Sequence, residues 1–345
     1  MKILKIVKKI FLFIFILQNF LFCGFEPASF LELGFSARAN SLGKAFVSIL
    51  SDPSSVFYNP AGISGCKDFY LGFSADFFNS KWDTAKYIMP KYNSLYFVLP
   101  TKNFFNFLEN PVFGFGLINY SLDKIPYTYV EYIDNEDFYI VRDETSLKNN
   151  AYLLNFSDKF SISPNEVLHF GLGLRFVTQD ISKVSSSFGW DILAGAIYKT
   201  DFANFGFVIN RGLSLAWSNG ETDLGPLCVK YGISKDFEFF KILKVLASAD
   251  LVQKQKYPLT LNFGFETEVD LRNEIVKGIF FRAGVENFVL ENRYNYQEFF
   301  DKSRKFCFGL GGKFSYNFFV LSVDYVFSIE QFGNKHKISV TISRL

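Results

Sequence analysis

The chain has 345 residues, and its 46 Phe and 18 Tyr bring aromatics to 19% of the whole, while charged residues still make up 20%. A formal charge of +2 gives no case for a nucleic-acid partner. After residue 22 no run approaches the roughly 20 apolar residues that a membrane-spanning helix requires, so the hydrophobic surface of this chain has to be placed in another way.

Residues 1–24 read as an export signal. Lys2, Lys5, Lys8 and Lys9 form a positive start, and an apolar run follows that Gln18-Asn19 interrupts. Even at its longest, the run covers only about 20 Å as a helix, against about 30 Å of hydrocarbon, so a cleaved leader fits better than an anchor. Cys23 would suit lipidation, but such a site needs a small residue before the cysteine and Phe22 is large, so cleavage near Gly24 is expected. Losing the segment removes four lysines and no acid, which takes the charge from +2 to −2. Cys66, Cys228 and Cys307 remain, an odd number with no zinc-site spacing, and read as small apolar side chains. An exported, apolar chain without a spanning helix has an evident place for its hydrophobic surface, the outside of a β-barrel.

Residues 25–66 differ from everything after them. Leu33 to Ile63 reads LGFSARANSLGKAFVSILSDPSSVFYNPAGI and does not alternate like a strand. Ala37, Ala39, Gly43 and Ala45 allow close backbone approach. Leu42, Phe46, Ile49 and Leu50 have helical spacing, which predicts a helix from Ala39 to Leu50. Pro53 biases Asp52 away from the helical region. Asn59-Pro60-Ala61-Gly62 predicts a tight turn in which the Asn side chain bonds the backbone two residues on and Gly62 supplies a positive φ. Arg38 is the charge to watch, because a long cation among small residues needs an acidic partner, with Asp52 the nearest candidate.

Taken in order, Gly34, Ala37-Arg38-Ala39, Leu42-Gly43, Ala45-Phe46-Val47, Asp52 and Phe57-Tyr58-Asn59-Pro60-Ala61-Gly62 resemble the N-terminal hatch of FadL-type outer-membrane transporters, and more closely the PorV/PorQ-like branch of that superfamily. The chain has Lys44 where members often carry a second glycine, and Ser51 where they often carry a second acid. The resemblance implies an outer-membrane barrel, plugged by its hatch, that passes hydrophobic small molecules such as long-chain fatty acids by diffusion, with no cofactor. Arg38, Gly43, Asp52, Asn59, Pro60, Ala61 and Gly62 would form the hatch motif. The PorV-like branch implies an alternative task, that of a non-enzymatic partner for secretion-system proteins.

Residues 67–345 read as the barrel. Leu259, Leu261, Phe263 and Phe265 share one face of a strand, and Thr260, Asn262, Gly264 and Glu266 the other. Leu168, Phe170, Leu172 and Leu174 alternate with His169, Gly171, Gly173 and Arg175 in the same way. Slipping either register by one residue would turn a charge toward lipid, where it costs on the order of 2–4 kcal/mol. Fourteen such segments are expected, all antiparallel, starting near Asp68, Asn93, Val112, Asn149, Glu166, Phe188, Ala203, Gly225, Lys241, Leu259, Gly278, Lys305, Phe318 and Lys335. The long connections Ser121 to Lys148, Asn210 to Leu224 and Phe288 to Arg304 follow odd-numbered strands, with Thr101 to Asn110 after the second strand the exception, a segregation expected when long loops lie on one side of a membrane. The loop Asp123 to Thr145 reads as a second hairpin rising above the barrel, with an acidic tip around Asp134-Asn135-Glu136-Asp137.

Nothing points to catalysis or a metal site. His169 and His336 lie inside strand patterns, away from any GxSxG or HExxH motif. Trp217-Ser218-Asn219-Gly220 reads as a turn, and the glycines of Gly309 to Lys313 as space inside the barrel rather than a phosphate loop. The polar faces carry Asp76, Arg175, Asp191, Lys230, Asp250, Glu266, Arg282, Glu286, Lys313 and Asp324, most of which should pair with one another and with the hatch. Arg175 and Arg282 are the candidates for holding the carboxylate of an amphipathic ligand.

Overall fold

The computed structural model describes residues 27–80, 90–101, 108–133, 136–182, 184–239, 242–290, 304–330 and 333–344. The leader expected over residues 1–24 and the tip Asp134-Asn135 lie outside them.

The chain is all-β apart from its start, where one turn of α-helix, α1 (Ala37–Ser41), is flanked by 3-10 turns at Ser29–Glu32, Pro53–Phe57 and Pro60–Gly65. Sixteen strands follow: β1 (Tyr70–Ser80), β2 (Lys91–Pro100), β3 (Val112–Ile133), β4 (Glu136–Ser163), β5 (Glu166–Ile181), β6 (Ser185–Lys199), β7 (Asn204–Asn210), β8 (Ser214–Trp217), β9 (Thr222–Leu224), β10 (Cys228–Phe239), β11 (Leu243–Lys254), β12 (Thr260–Asp270), β13 (Val276–Val289), β14 (Lys305–Tyr316), β15 (Phe319–Glu330) and β16 (Gly333–Arg344). Each pairs antiparallel with its neighbour, and β1 pairs with β16 from Tyr70↔Ser343 to Ser80↔Gly333. The ladder therefore closes on itself as a barrel of fourteen strands, with β8 and β9 continuing β7 and β10.

Both periodicities proposed from the sequence hold. Phe170, Leu172 and Leu174 face outward while His169 and Arg175 are buried; Phe265 is exposed and Glu266 buried. Large apolar side chains stand exposed all round the outer wall, from Phe73 on β1 to Ile342 on β16. An exposed belt of that extent is tolerated only where the surrounding medium is itself apolar, as in the wall of a membrane barrel.

Two elements differ from expectation. The fourth strand begins at Glu136, not near Asn149, because there is no separate second hairpin: β3 and β4 run on as one ribbon, paired from Val112↔Ser157 to Ile133↔Glu136. Neighbours stop earlier: β2 pairs with β3 only as far as Ser121, and β5 with β4 only as far as Leu147. The two strands alone therefore rise on the order of 35 Å beyond the wall. Their alternation breaks at two register shifts, Leu122/Ile125 and Tyr127/Thr128, which is what made the segment read as a loop.

The other difference is the connection expected from Asn210 to Leu224, which is a strand hairpin with a gap in it. On β6, Leu193 pairs with Asn210 and Trp190 with Ser214, so three residues oppose two. Arg211-Gly212-Leu213 on one arm and Gly225-Pro226-Leu227 on the other leave the strand register, although Gly225 N still donates to the Leu213 carbonyl at 2.7 Å. Gly212 sits at φ 97, and Pro226 has no N–H to give.

Candidate functional site: the hatch and the cavities beside it

Residues 27–66 lie within the ring, most of them buried. The expected helix from Ala39 to Leu50 stops at Ser41, because Gly43 and Lys44 both adopt left-handed backbone, each at φ 60. Lys44 thus carries the conformation for which a glycine would be the usual choice. At Asn59 the expected turn chemistry is present, with Oδ1 accepting from Ala61 N at 3.0 Å and Nδ2 donating to the Val47 carbonyl at 2.6 Å. Gly62 needs no positive φ; the position needs space, since a Cβ there would strike Ser55 Oγ and the Ile49 carbonyl.

The wall meets this segment with glycine. Gly171 pairs with Gly195, Gly206 with Gly232 and Gly264 with Gly284 across the ladder. All six face inward onto Pro60-Ala61, Asn59, Val47-Ser48 or Leu42-Gly43, at distances where a Cβ would overlap hatch atoms. The segment is seated backbone against backbone over half the circumference. On the remaining side, aromatic rings do the packing. Phe35 stacks on Phe57 at 4.7 Å and meets Tyr58 at 5.5 Å, and Phe57 stands edge-on to Tyr96 at 5.9 Å.

Charge fixes the seat at several points. Arg38 donates to Asp52 at 2.6 Å and makes a fork to Glu266 on β12, at 2.8 and 2.6 Å. Burial opposes the charge on Arg38, but Glu266 and Asp52 outweigh it and hold the guanidinium protonated. Arg282 joins the same group, bonded to Glu266 and, at 2.7 Å, to Asp324. On β11, Asp250 accepts from the backbone N–H groups of Phe46 and Val47 at 2.6 and 2.9 Å. Lys44 bonds Glu286 at 2.6 Å and the Glu32 carbonyl. Near the β1–β16 junction, Lys335 and Lys337 donate to the carbonyls of Leu33 and Gly34, both at 2.8 Å, and both also pair with Asp76 at 2.6 Å. Ala37 N donates to Ser339 Oγ at 2.7 Å.

At its start, the hatch is tethered by Glu32, whose carboxylate lies 3.2 Å from Lys254 on β11. The Lys254 charge, more than burial can oppose, holds the Glu32 carboxyl well below its ordinary value of 4.5. A carboxyl lowered in the folded state contributes stability above its unfolded value and loses it as the pH falls toward the native one. Native-state proteolysis of the hatch should therefore be pH-independent from neutrality down to about 5 and accelerate below. Because Glu32 is half exposed, added salt should shrink this effect.

Above the hatch, on the side of the β3–β4 ribbon, lies a cavity of about 110 Å3. Ala28, Leu31, Phe57 and Leu213 give it apolar walls; Lys44, Arg175, Lys230 and Asn262 give it polar ones. It reaches Gly212 and Gly225-Pro226, the gap in the β7–β10 hairpin. Of the two arginines singled out from the sequence, Arg175 borders this cavity with its guanidinium forked onto Asp191, through Nε at 3.0 Å. Arg282 lies on the opposite side of the hatch and is held by Glu266 and Asp324. Lys230, by contrast, lines the cavity and forms no ion pair among the described residues. From sequence it was one of ten inward charges; only the cross-strand register separates it from those that pair, such as Arg175 and Arg282.

On the side of the short turns two wider recesses open, of about 410 and 640 Å3. His169 is buried there against Ser64, Nδ1 to Oγ at 2.6 Å. His336 faces outward and meets Tyr325 Oη at 2.6 Å. Cys66, Cys228 and Cys307 are buried thiols outside any disulfide, and burial pushes the Cys66 thiol up.

No protein-family model and no curated protein matches the sequence. Solved structures do match the fold. The toluene transporter TodX of Pseudomonas putida superposes with a TM-score of 0.53 at 13% identity, over 93% of this chain and 98% of that one. The monoaromatic hydrocarbon channel CymD superposes with the same score at 11% identity, over 90% and 97%. The chain shares the fold of these two proteins, and its own is a closed barrel of fourteen antiparallel strands.

Proposed function

We propose that the protein is an outer-membrane channel that passes small hydrophobic or amphipathic molecules by diffusion, with residues 27–66 as its hatch. The observation that carries this reading is the cavity between the hatch and the interrupted β7–β10 hairpin. It joins apolar wall, one unpaired cation and a gap in the ladder in one place. The ribbon end of the barrel is then extracellular and the short-turn end periplasmic, as the odd and even connections require. A ligand settles above Phe57 and Leu213, and an anionic head is taken by Lys230. Exit follows either a shift of the hatch or passage sideways at Gly212 and Pro226, where the two arms are held by the bond from Gly225 N to the Leu213 carbonyl. No step needs a catalytic group or cofactor. The hydrocarbon channels that share the fold support the same class of cargo.

The test is uptake into vesicles holding the purified barrel, with mass spectrometry of whatever small molecules leave the membrane with it. Lys230→Met should slow entry of a medium-chain carboxylate about tenfold, the worth of one charge-assisted contact, and leave entry of a neutral aromatic unchanged. Equal loss for both, or for neither, would count against the assignment of Lys230. A barrel that carries neither class would overturn the reading.

The second reading, a non-enzymatic partner of secretion-system proteins, is favoured by the β3–β4 ribbon, which offers strand backbone far outside the wall. Under that reading a protein, and no small molecule, leaves the membrane in stoichiometric amount with the barrel.

A further inference from the structure

We infer that the short-turn mouth of the barrel holds a binding site for an oxyanion that carries its own O–H, a hydrogen phosphate group. The site is the recess of about 640 Å3 lined by Lys67, Lys159, His169, Lys199 and Glu109. It lies across the hatch from the cavity described above and does not depend on the transport reading.

Register builds it. Lys159 pairs directly with His169, and His169 with Ile197, so all three point inward at one level; Lys199, two residues on from Ile197, points the same way. Lys67 approaches from the end of the hatch segment. None of the three lysines forms an ion pair among the described residues. The one acid of the recess, Glu109, is already engaged, since its carboxylate accepts from Ser161 N at 3.0 Å and Ser161 Oγ at 2.7 Å. Three cations line the recess against this single carboxylate, which leaves a surplus of positive charge there.

His169 decides which anion fits. It is 5% exposed. Ser64 Oγ lies 2.7 Å from the Ala61 carbonyl and 2.6 Å from His169 Nδ1. A carbonyl only accepts, and the hydroxyl has a single proton, so that proton goes to Ala61. Nδ1 must then carry the ring proton and donate to Ser64. Nε2 is left as a bare acceptor with no protein partner among the described residues, on the wall of a recess otherwise furnished with donors. A fully deprotonated anion satisfies the lysines and leaves Nε2 unmet. Hydrogen phosphate satisfies both, because its remaining O–H can donate to Nε2. Leaving an acceptor on the wall of the site unpaired is the kind of mismatch by which a site rejects an otherwise similar ligand.

Titration calorimetry of the full barrel in detergent at pH 7 tests this with two ions of matching size, inorganic phosphate and sulfate. Phosphate should bind about tenfold tighter than sulfate. Lys159→Met with Lys199→Met should abolish both, and His169→Phe should bring phosphate down to the level of sulfate. Heat-modifiable migration on a gel confirms that each variant is folded. Glycerol phosphate in place of inorganic phosphate separates a site for a phosphomonoester from one for the free ion. Equal affinity of the unaltered barrel for phosphate and sulfate, or unchanged phosphate binding in the folded double lysine variant, would overturn the proposal.

Discussion

Replacing Arg38 with alanine should release the hatch from the wall while the barrel stays closed. The substitution leaves Glu266 and Asp52 without the cation between them, and among the described residues the only remaining positive partner of Glu266 is Arg282, which Asp324 also claims. Removing one member of a buried ion pair typically costs 3–5 kcal/mol. The lower end, about 3 kcal/mol, applies here because a quarter of the Arg38 side chain remains in contact with solvent. The measurement is limited trypsin digestion, which should cut at Lys44 in the variant and spare it in the parent. Heat-modifiable migration should persist, since no ladder bond involves Arg38. Arg38→Lys can keep one of the two carboxylates but not the fork to Glu266, and should fall between the two. A hatch that stays protected in Arg38→Ala would show that the glycine seat alone holds it.

The larger effect on conduction is expected from Gly284→Val. A Cβ at this position would overlap Gly43 N and the Leu42 carbonyl carbon, both backbone, so no side-chain rotation can relieve it. Overpacking usually costs 1–3 kcal/mol, and more where backbone cannot move. The neighbouring hatch residue offers no slack either, because Gly43 itself lies against the backbone of Val285. The hatch should be displaced as a unit. In planar bilayers the parent should be nearly silent and the variant should show steady ion conductance through the vacated lumen. Gly278→Val is the matched control, since its Cβ would meet nothing closer than 3.4 Å. If both valine variants stay silent, the hatch is not what closes the barrel.

How much of this could be read from the sequence depended on the range of the interaction. Strand periodicity is local, so the outward faces of β5 and β12 and most strand starts were legible. Of the wall glycines, only those from Gly309 to Lys313 were legible as space-makers, and the six that seat the hatch became apparent through the fold. What failed was long-range or conformational. The start of β4 was misplaced because two register shifts blur the ribbon's alternation. The helix beyond Ser41 was overcalled because helical spacing says nothing of the left-handed backbone at Lys44. Arg38 was recognisable as a charge in need of a partner, and Asp52 as near it. Glu266, 228 positions away, could be found only through the fold. Arg175 and Arg282 looked the same as Lys230 in the sequence, and three-dimensional pairing alone tells them apart.

The junction of β1 with β16 also bears on how such a chain reaches its native state. Tyr70 and Ser343 sit at opposite ends of the sequence, so this pairing carries the largest loop-closure cost in the ladder and cannot begin until the last strand has been delivered. The hatch is attached directly to β1 and offers the carbonyls of Leu33 and Gly34 and the N–H of Ala37 to Lys335, Lys337 and Ser339 of β16. It can therefore capture the final strand by side-chain contacts before the backbone ladder forms, converting a search across the whole chain into a short docking step. A chain deprived of its hatch should close its ring more slowly, even where the finished barrel is as stable.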